Sequence, residues 1–93
     1  MQELLESLKK FRDDRNWEKY HTEPELARSL MIEAAELNRL YQWGKIPSRE
    51  RLKEEVADCL IYGVNLCLKA GFDPIEICQD KIKKNATKYP VSG

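Results

Sequence analysis

Gly44-Lys45-Ile46-Pro47-Ser48 decides how this chain folds, because it is the one strong break between two long helical patterns. Glycine and proline end a helix, and serine just after them is a good N-cap for the next. A connection over 44–47 is short enough to make the flanking helices an antiparallel hairpin. Upstream, Leu26, Leu30, Leu37 and Leu40 fall on one arc at about 100° per residue, and Thr22-Glu23-Pro24-Glu25 supplies a capping box with proline in the first turn. This helix is expected to run to Trp43. Downstream, Ser48 opens a helix ending at Ala70, with Gly71 as its stop. Further out, Leu4, Leu5, Leu8 and Phe11 mark a half-buried first helix over 2–16, and Asp73-Pro74-Ile75-Glu76 opens a fourth over 74–89, closed by Pro90. With no strand pattern and no repeat, the fold class is all-α, a four-helix bundle-like single domain over 1–93.

The bulk numbers narrow the function. Lysine plus arginine number 16 and aspartate plus glutamate 16, so no overall field draws the chain to a nucleic acid polymer or an anionic membrane. Cys59, Cys67 and Cys78 are odd in number and lack metal-ligand spacing, which suits buried thiols in a reducing compartment. No leader pattern is seen and no apolar run approaches ~20 residues, so a cytoplasmic location is expected. A chain of 93 residues leaves much surface exposed, and a partner copy would help it.

Glu33 is the anomaly, since it occupies a leucine's place on the apolar arc of the second helix, with Glu36 on the shoulder. The third helix carries a second pair at the same spacing, Glu55 and Asp58. Residues three apart are neighbours on a helix surface. Glu36 and Glu55 are equidistant from the centre of the 44–47 break, and so are Glu33 and Asp58. At ~1.5 Å rise per residue, the two pairs face each other at matching heights. Four carboxylates brought together repel and lose solvation, and a hard divalent cation relieves both costs. Oxygen ligands select Mg²⁺, Mn²⁺ or Ca²⁺ over zinc, which points to metal-dependent phosphate chemistry. The bland alternative for either pair alone is a solvated face paired with lysines.

Other residues add to this picture, each with an ordinary counterpart. Val56, Cys59, Leu60, Gly63, Val64, Leu66 and Cys67 spread over a wide arc of the third helix, as in a central helix packed on several sides, a second subunit included. Tyr62, one turn past Asp58, is placed to bond a ligand or to edge the core. On the fourth helix Ile75, Cys78, Ile82, Ala86 and Tyr89 form the expected buried face, while Lys81, Asn85 and Lys88 line the adjacent strip with Lys84 beyond. Lysines there suit phosphate, and equally a solvated basic face. Trp17 and Trp43 end segments rather than fill apolar stripes, so they are candidates to stack on a base as well as structural aromatics. His21 is the sole histidine, which argues against zinc catalysis and a histidine-based triad.

With these residues in view, the chain resembles the MazG-like all-α nucleoside triphosphate pyrophosphohydrolases, particularly the compact branch that contains dCTP pyrophosphatase. The resemblance spans Phe11 to Pro90 and is carried by Arg15-Asn16-Trp17, Tyr20-His21, Glu33-Ala34-Ala35-Glu36, Tyr41-Gln42-Trp43, Glu54-Glu55-Val56-Ala57-Asp58 through Tyr62, and Lys81 through Asn85 to Lys88-Tyr89-Pro90. It implies hydrolysis of a nucleoside triphosphate, dCTP or a modified deoxynucleotide among the candidates, to the monophosphate and pyrophosphate. It also implies Mg²⁺, or Mn²⁺, held by Glu33, Glu36, Glu55 and Asp58. Trp17, His21, Trp43, Tyr62 and Asn85 would belong to the nucleotide pocket, with Lys81, Lys84 and Lys88 toward the phosphates. The family commonly assembles as dimers or tetramers, so a homodimer or homotetramer is expected. The chain departs from some dCTP-specific relatives at Leu8, where they carry histidine, and in its shorter 44–47 connection, so base preference stays open.

Three other readings compete. A catalytically weak nucleotide-binding or regulatory module would use the same pocket. A di-iron carboxylate bundle wants Glu-x-x-His pairs, and neither pair here ends in histidine. A plain helical oligomerisation domain would bind no metal-dependent ligand.

Overall fold

The computed structural model describes residues 1–92 and contains four α-helices and no strand among them: α1 (Gln2–Asp14), α2 (Glu23–Arg39), α3 (Arg49–Ala70) and α4 (Pro74–Lys88). Short 3-10 turns lie at Glu18–Tyr20 and Gln42–Gly44. The all-α reading therefore holds, and Gly93, the last residue of the expected domain, lies outside the described residues.

The helix starts follow from their caps. Thr22 Oγ1 accepts the Glu25 N–H at 3.3 Å, Ser48 Oγ accepts that of Arg51 at 3.2 Å, and Asp73 Oδ1 accepts those of Ile75 and Glu76 at 2.9 and 3.1 Å. Each satisfies donors that the first helical turn leaves without partners. Gly71, at φ 81°, ends α3 in the left-handed conformation, and the Phe72 N–H returns to the Cys67 carbonyl at 2.9 Å.

Two helix ends fall short of their expected positions by two residues or more, each for a local reason, and α4 ends one residue early at Lys88. α1 stops at Asp14 rather than Asn16, because Asn16 itself turns left-handed at φ 58° and the Trp17 N–H reaches back to the Arg12 carbonyl at 2.9 Å. α2 stops at Arg39 rather than Trp43. Past it the Leu40 and Tyr41 N–H groups bond three residues back, to Leu37 and Asn38, and Trp43 and Gly44 are both left-handed. Reversal within so few residues requires that tightening.

α2 and α3 form the expected antiparallel hairpin and make the dominant packing in the chain, α1 lies against α3, and α4 touches the other helices only marginally. The enclosed core is small: Leu26 and Leu40 from α2 and its cap, and Val64 from α3. The radius of gyration is 15.9 Å and the longest dimension 52 Å. A compact chain of this length would have a radius near ~12 Å. The fourth-helix face expected to be buried is not buried within one chain, since Ile75, Cys78, Ile82, Ala86 and Tyr89 are all exposed. Leu60, on the wide arc of α3, is 62 % exposed.

Candidate metal centre and nucleotide pocket

The hairpin brings Glu33 of α2 together with Glu55 and Asp58 of α3, one carboxylate oxygen of each lying within 4.8 Å of the others. Glu33 and Glu55 are half-buried and Asp58 is exposed. Burial, then the negative charges of Asp58, Glu55 and Glu36, push the Glu33 carboxyl above its ordinary value. Burial, then the charges of Glu33, Asp58 and Glu55, push the Cys59 thiol up as well. These carboxylates have no cationic partner among the ion pairs of the described residues.

Glu36 does not join the trio. Its Oε1 accepts from Arg39 Nη1 at 3.3 Å, one turn along α2, and its side chain lines a cleft of about 450 Å³ at the hairpin turn with Arg39, Lys45 and Arg51. Its charge nonetheless contributes to the shift at Glu33.

On the other side of Asp58 a second cavity opens between α1, α3 and the segment that joins α1 to α2. It measures about 210 Å³ and is walled by Phe11, Trp17, His21, Ile61 and Tyr62, with Asp58 at its edge. The left-handed Asn16 swings Trp17 back over α1, where its ring meets Phe11 edge-on at 5.6 Å and His21 at 6.5 Å. Lys69 Nζ donates to Glu18 Oε1 at 3.0 Å and ties the 3-10 turn to α3. That ammonium lowers the Glu18 carboxyl, by hydrogen bond and by charge. Burial, then the Arg12 charge, lower His21, which favours its neutral form.

Trp17, His21 and Tyr62 are thus gathered beside the acidic trio. Trp43 is not: it stands 86 % exposed in the hairpin turn. Lys81, Lys84 and Lys88 are exposed on α4 and Asn85 is half-buried there, and none lines the cavity that Asp58 edges. The structure adds Leu8, Phe11, Arg12, Ile61 and Asn65 to the lining. For Asn65 and Ile61 a signal existed, since they follow Asp58 on the same helix face at i+7 and i+3.

Residues 28–93 match the model of the MazG-like family. The chain is 34 % identical to dCTP pyrophosphatase 1 of Mus musculus over 91 residues, 87 % of this chain and 54 % of that protein. To dCTP pyrophosphatase 1 of Homo sapiens it is 33 % identical over 90 residues, 86 % of this chain and 53 % of that one. The chain therefore spans about half the length of the curated relatives it matches. A crystal structure of a pyrophosphatase from Archaeoglobus fulgidus superposes with a TM-score of 0.86 at 43 % identity, covering 98 % of this chain and 93 % of that one. Helical hairpin, acidic pairs and matched sequence converge, and the chain belongs to the MazG-like family.

Proposed function

We propose that this chain is a nucleoside triphosphate pyrophosphohydrolase that uses Mg²⁺, or Mn²⁺ in its place, to release pyrophosphate and leave the nucleoside monophosphate. dCTP or a modified deoxynucleotide is the first substrate class to test, and clearing such nucleotides from the pool is the role it would serve. One observation carries the reading: Asp58 belongs both to the acidic trio and to the edge of the aromatic cavity. A base seated against Trp17 and Tyr62 would thus hold its phosphates over the carboxylates.

The trio fits a hard cation. Oxygens ligating one Mg²⁺ at about 2.0 to 2.1 Å lie ~3 Å apart when adjacent and ~4.2 Å when opposite, so the trio's oxygens, within 4.8 Å of one another, would converge on one ion by side-chain rotation. When bound, the metal supplies Lewis-acid stabilisation of charge on the phosphate oxygens. The chain's own residues do the remaining work. Glu33, Glu55 and Asp58 would hold the cation, and Glu36 would join them if released from Arg39. The aromatic walls orient the base, so that water meets the α-phosphorus opposite the α,β-bridging oxygen. The new P–O bond forms as the bridging bond breaks, pyrophosphate departs, and the water's proton passes to solvent.

Trp43, Lys81, Lys84, Asn85 and Lys88 would contribute across an interface between copies, in a homodimer or homotetramer. The exposed apolar faces of α3 and α4 support that assembly.

The test is a panel of canonical and modified nucleoside triphosphates with Mg²⁺, with products separated by chromatography. Pyrophosphate from at least one nucleotide is expected, with Glu33→Gln and Asp58→Asn reduced to background; orthophosphate release, or full activity in both variants, would contradict it. The Glu36–Arg39 pair favours one second reading, a module that binds nucleotide without turning it over. Metal-dependent binding with no product across the panel would identify that case.

A further inference from the structure

Asn65 lies deep in the wall of the aromatic cavity and is 8 % exposed, the one buried polar residue among those described. Its side chain makes no hydrogen bond to any described residue. Yet no buried side-chain nitrogen or oxygen is both sealed from solvent and without a partner. The carboxamide therefore keeps contact with open volume, and the cavity is the volume that Asn65 lines. A buried amide left without a partner costs free energy, and such groups are normally satisfied. Solvent in the cavity meets that need when no ligand is bound, and a ligand that displaces it must offer matching polar groups.

The position suits a base. Asp58, Tyr62 and Asn65 follow one another at i, i+4 and i+7 on one face of α3, which puts Asn65 ~10 Å along the axis from Asp58. A nucleotide with its phosphates at the acidic trio and its ring against Trp17 and Tyr62 brings the far edge of the base to that depth. The cavity, at about 210 Å³, is smaller than the ~300 Å³ at which pockets for whole small molecules begin. That volume takes a base and leaves its sugar and phosphates outside.

We propose that Asn65 is a specificity-determining residue whose carboxamide reads the polar edge of a single-ring base. This rests on the nucleotide reading above and deepens it. One acceptor and two donors held in a plane match the adjacent donor and acceptor of a pyrimidine, the amino group and N3 of cytosine or N3–H and O4 of uracil and thymine. Arg12, whose side chain is 17 % exposed in the same wall, offers only donors and complements a ring carbonyl. A site built to hydrogen-bond a group discriminates strongly against ligands that lack it, because its own polar atoms are then left unpaired.

The experiment compares Asn65→Leu, which keeps the volume, and Asn65→Ala with the unaltered chain. Values of kcat/KM are measured on dCTP, dTTP, dATP and dGTP, together with thermal unfolding. In parallel, the side-chain amide signals of ¹⁵N-labelled chain are followed as dCMP, dTMP and dAMP are added. The expected result is a loss of about 10-fold or more on the better pyrimidine triphosphate, less than about 3-fold on the purines, and an unfolding temperature no lower in Asn65→Leu. The Asn65 amide pair, assigned by its absence in Asn65→Leu, should shift with a pyrimidine monophosphate and not with dAMP. Equal losses on every base, a purine as best substrate, or an Asn65 amide that stays unmoved at saturation would overturn the proposal. If no triphosphate is cleaved while the Asn65 amide still responds to pyrimidines alone, hydrolysis fails and the base reading stands.

Discussion

Glu33 is the residue whose protonation is most worth following. Burial and three neighbouring carboxylates raise its folded-state value above the ordinary 4.5, so the folded chain holds that proton more tightly than the unfolded one. Below about 4.5 the group is protonated in both states and costs nothing; above its raised value the full penalty of an ionised, crowded carboxylate applies. Without metal, this group's contribution to stability must therefore fall as pH rises from near 4.5 through the raised value. Glu33→Gln should unfold at a higher temperature than the unaltered chain at pH 7 in a chelator, with a flatter pH profile in that window. Mg²⁺ should raise the unfolding temperature of the unaltered chain and leave the variant nearly unmoved, which differential scanning fluorimetry reads directly. Cys59 senses burial and the charges of Glu33, Asp58 and Glu55, which raise its thiol, so a thiol reagent should label the exposed Cys78 well before Cys59, as peptide mapping over time would show. Of these residues the carboxylates were legible, because an acid on an apolar arc and a loop-centred symmetry are properties of spacing. The Glu36–Arg39 pair was not, since an i,i+3 partner competes with a partner across the hairpin and spacing does not rank them. Asn65 went unread because it sits in an otherwise apolar run, where one polar residue looks like a flaw in a core stripe.

At the scale of elements, the starts were legible and so was the Gly71 stop of α3, whereas the ends of α1 and α2 were not. Ser48, Thr22 and Asp73 announce helices through their own side-chain chemistry. Where α2 ends depends instead on how soon the chain must reverse to lay α3 beside it, which is a tertiary demand. Ser48→Ala should cost about 1 kcal/mol in urea unfolding, the usual effect of removing such a cap. The turn at Glu18–Tyr20 gives a sharper test, because Lys69 of α3 is what ties it down. Lys69 is one-third exposed and Glu18 one-half, so the pair adds little to global stability. The lowered Glu18 carboxyl makes that small contribution present above its ordinary range and lost as pH falls through the lowered value. Lys69→Met should leave the unfolding midpoint almost unchanged while freeing the segment that carries Trp17 and His21. The expected signature is a KM raised several-fold at constant kcat, as for an interaction made equally in ground and transition states.

The molecule as a whole leaves much of its apolar surface open. Its radius of gyration, 15.9 Å, exceeds the ~12 Å of a compact chain of this length, and α4 scarcely touches the hairpin. Met31, Ile32 and Leu60 on the hairpin and Ile75, Ile77 and Ile82 on α4 are all exposed. The sequence shows that α4 has an apolar face; periodicity carries no information on whether the surface covering it belongs to the same chain. Exposed apolar area of this extent is expected to be buried between copies, and stability is then inseparable from concentration. The unfolding temperature should rise with protein concentration over a hundredfold dilution series, and sedimentation should give a dimer or tetramer. Leu60→Glu or Ile82→Glu should shift that population toward monomer and remove the concentration dependence, because a carboxylate cannot be buried there without a partner. Activity should fall with the assembly in both variants, although neither residue belongs to the acidic trio or to the wall of the aromatic cavity. A sedimenting monomer that turns over nucleotide at the full rate would show instead that α4 serves its own chain.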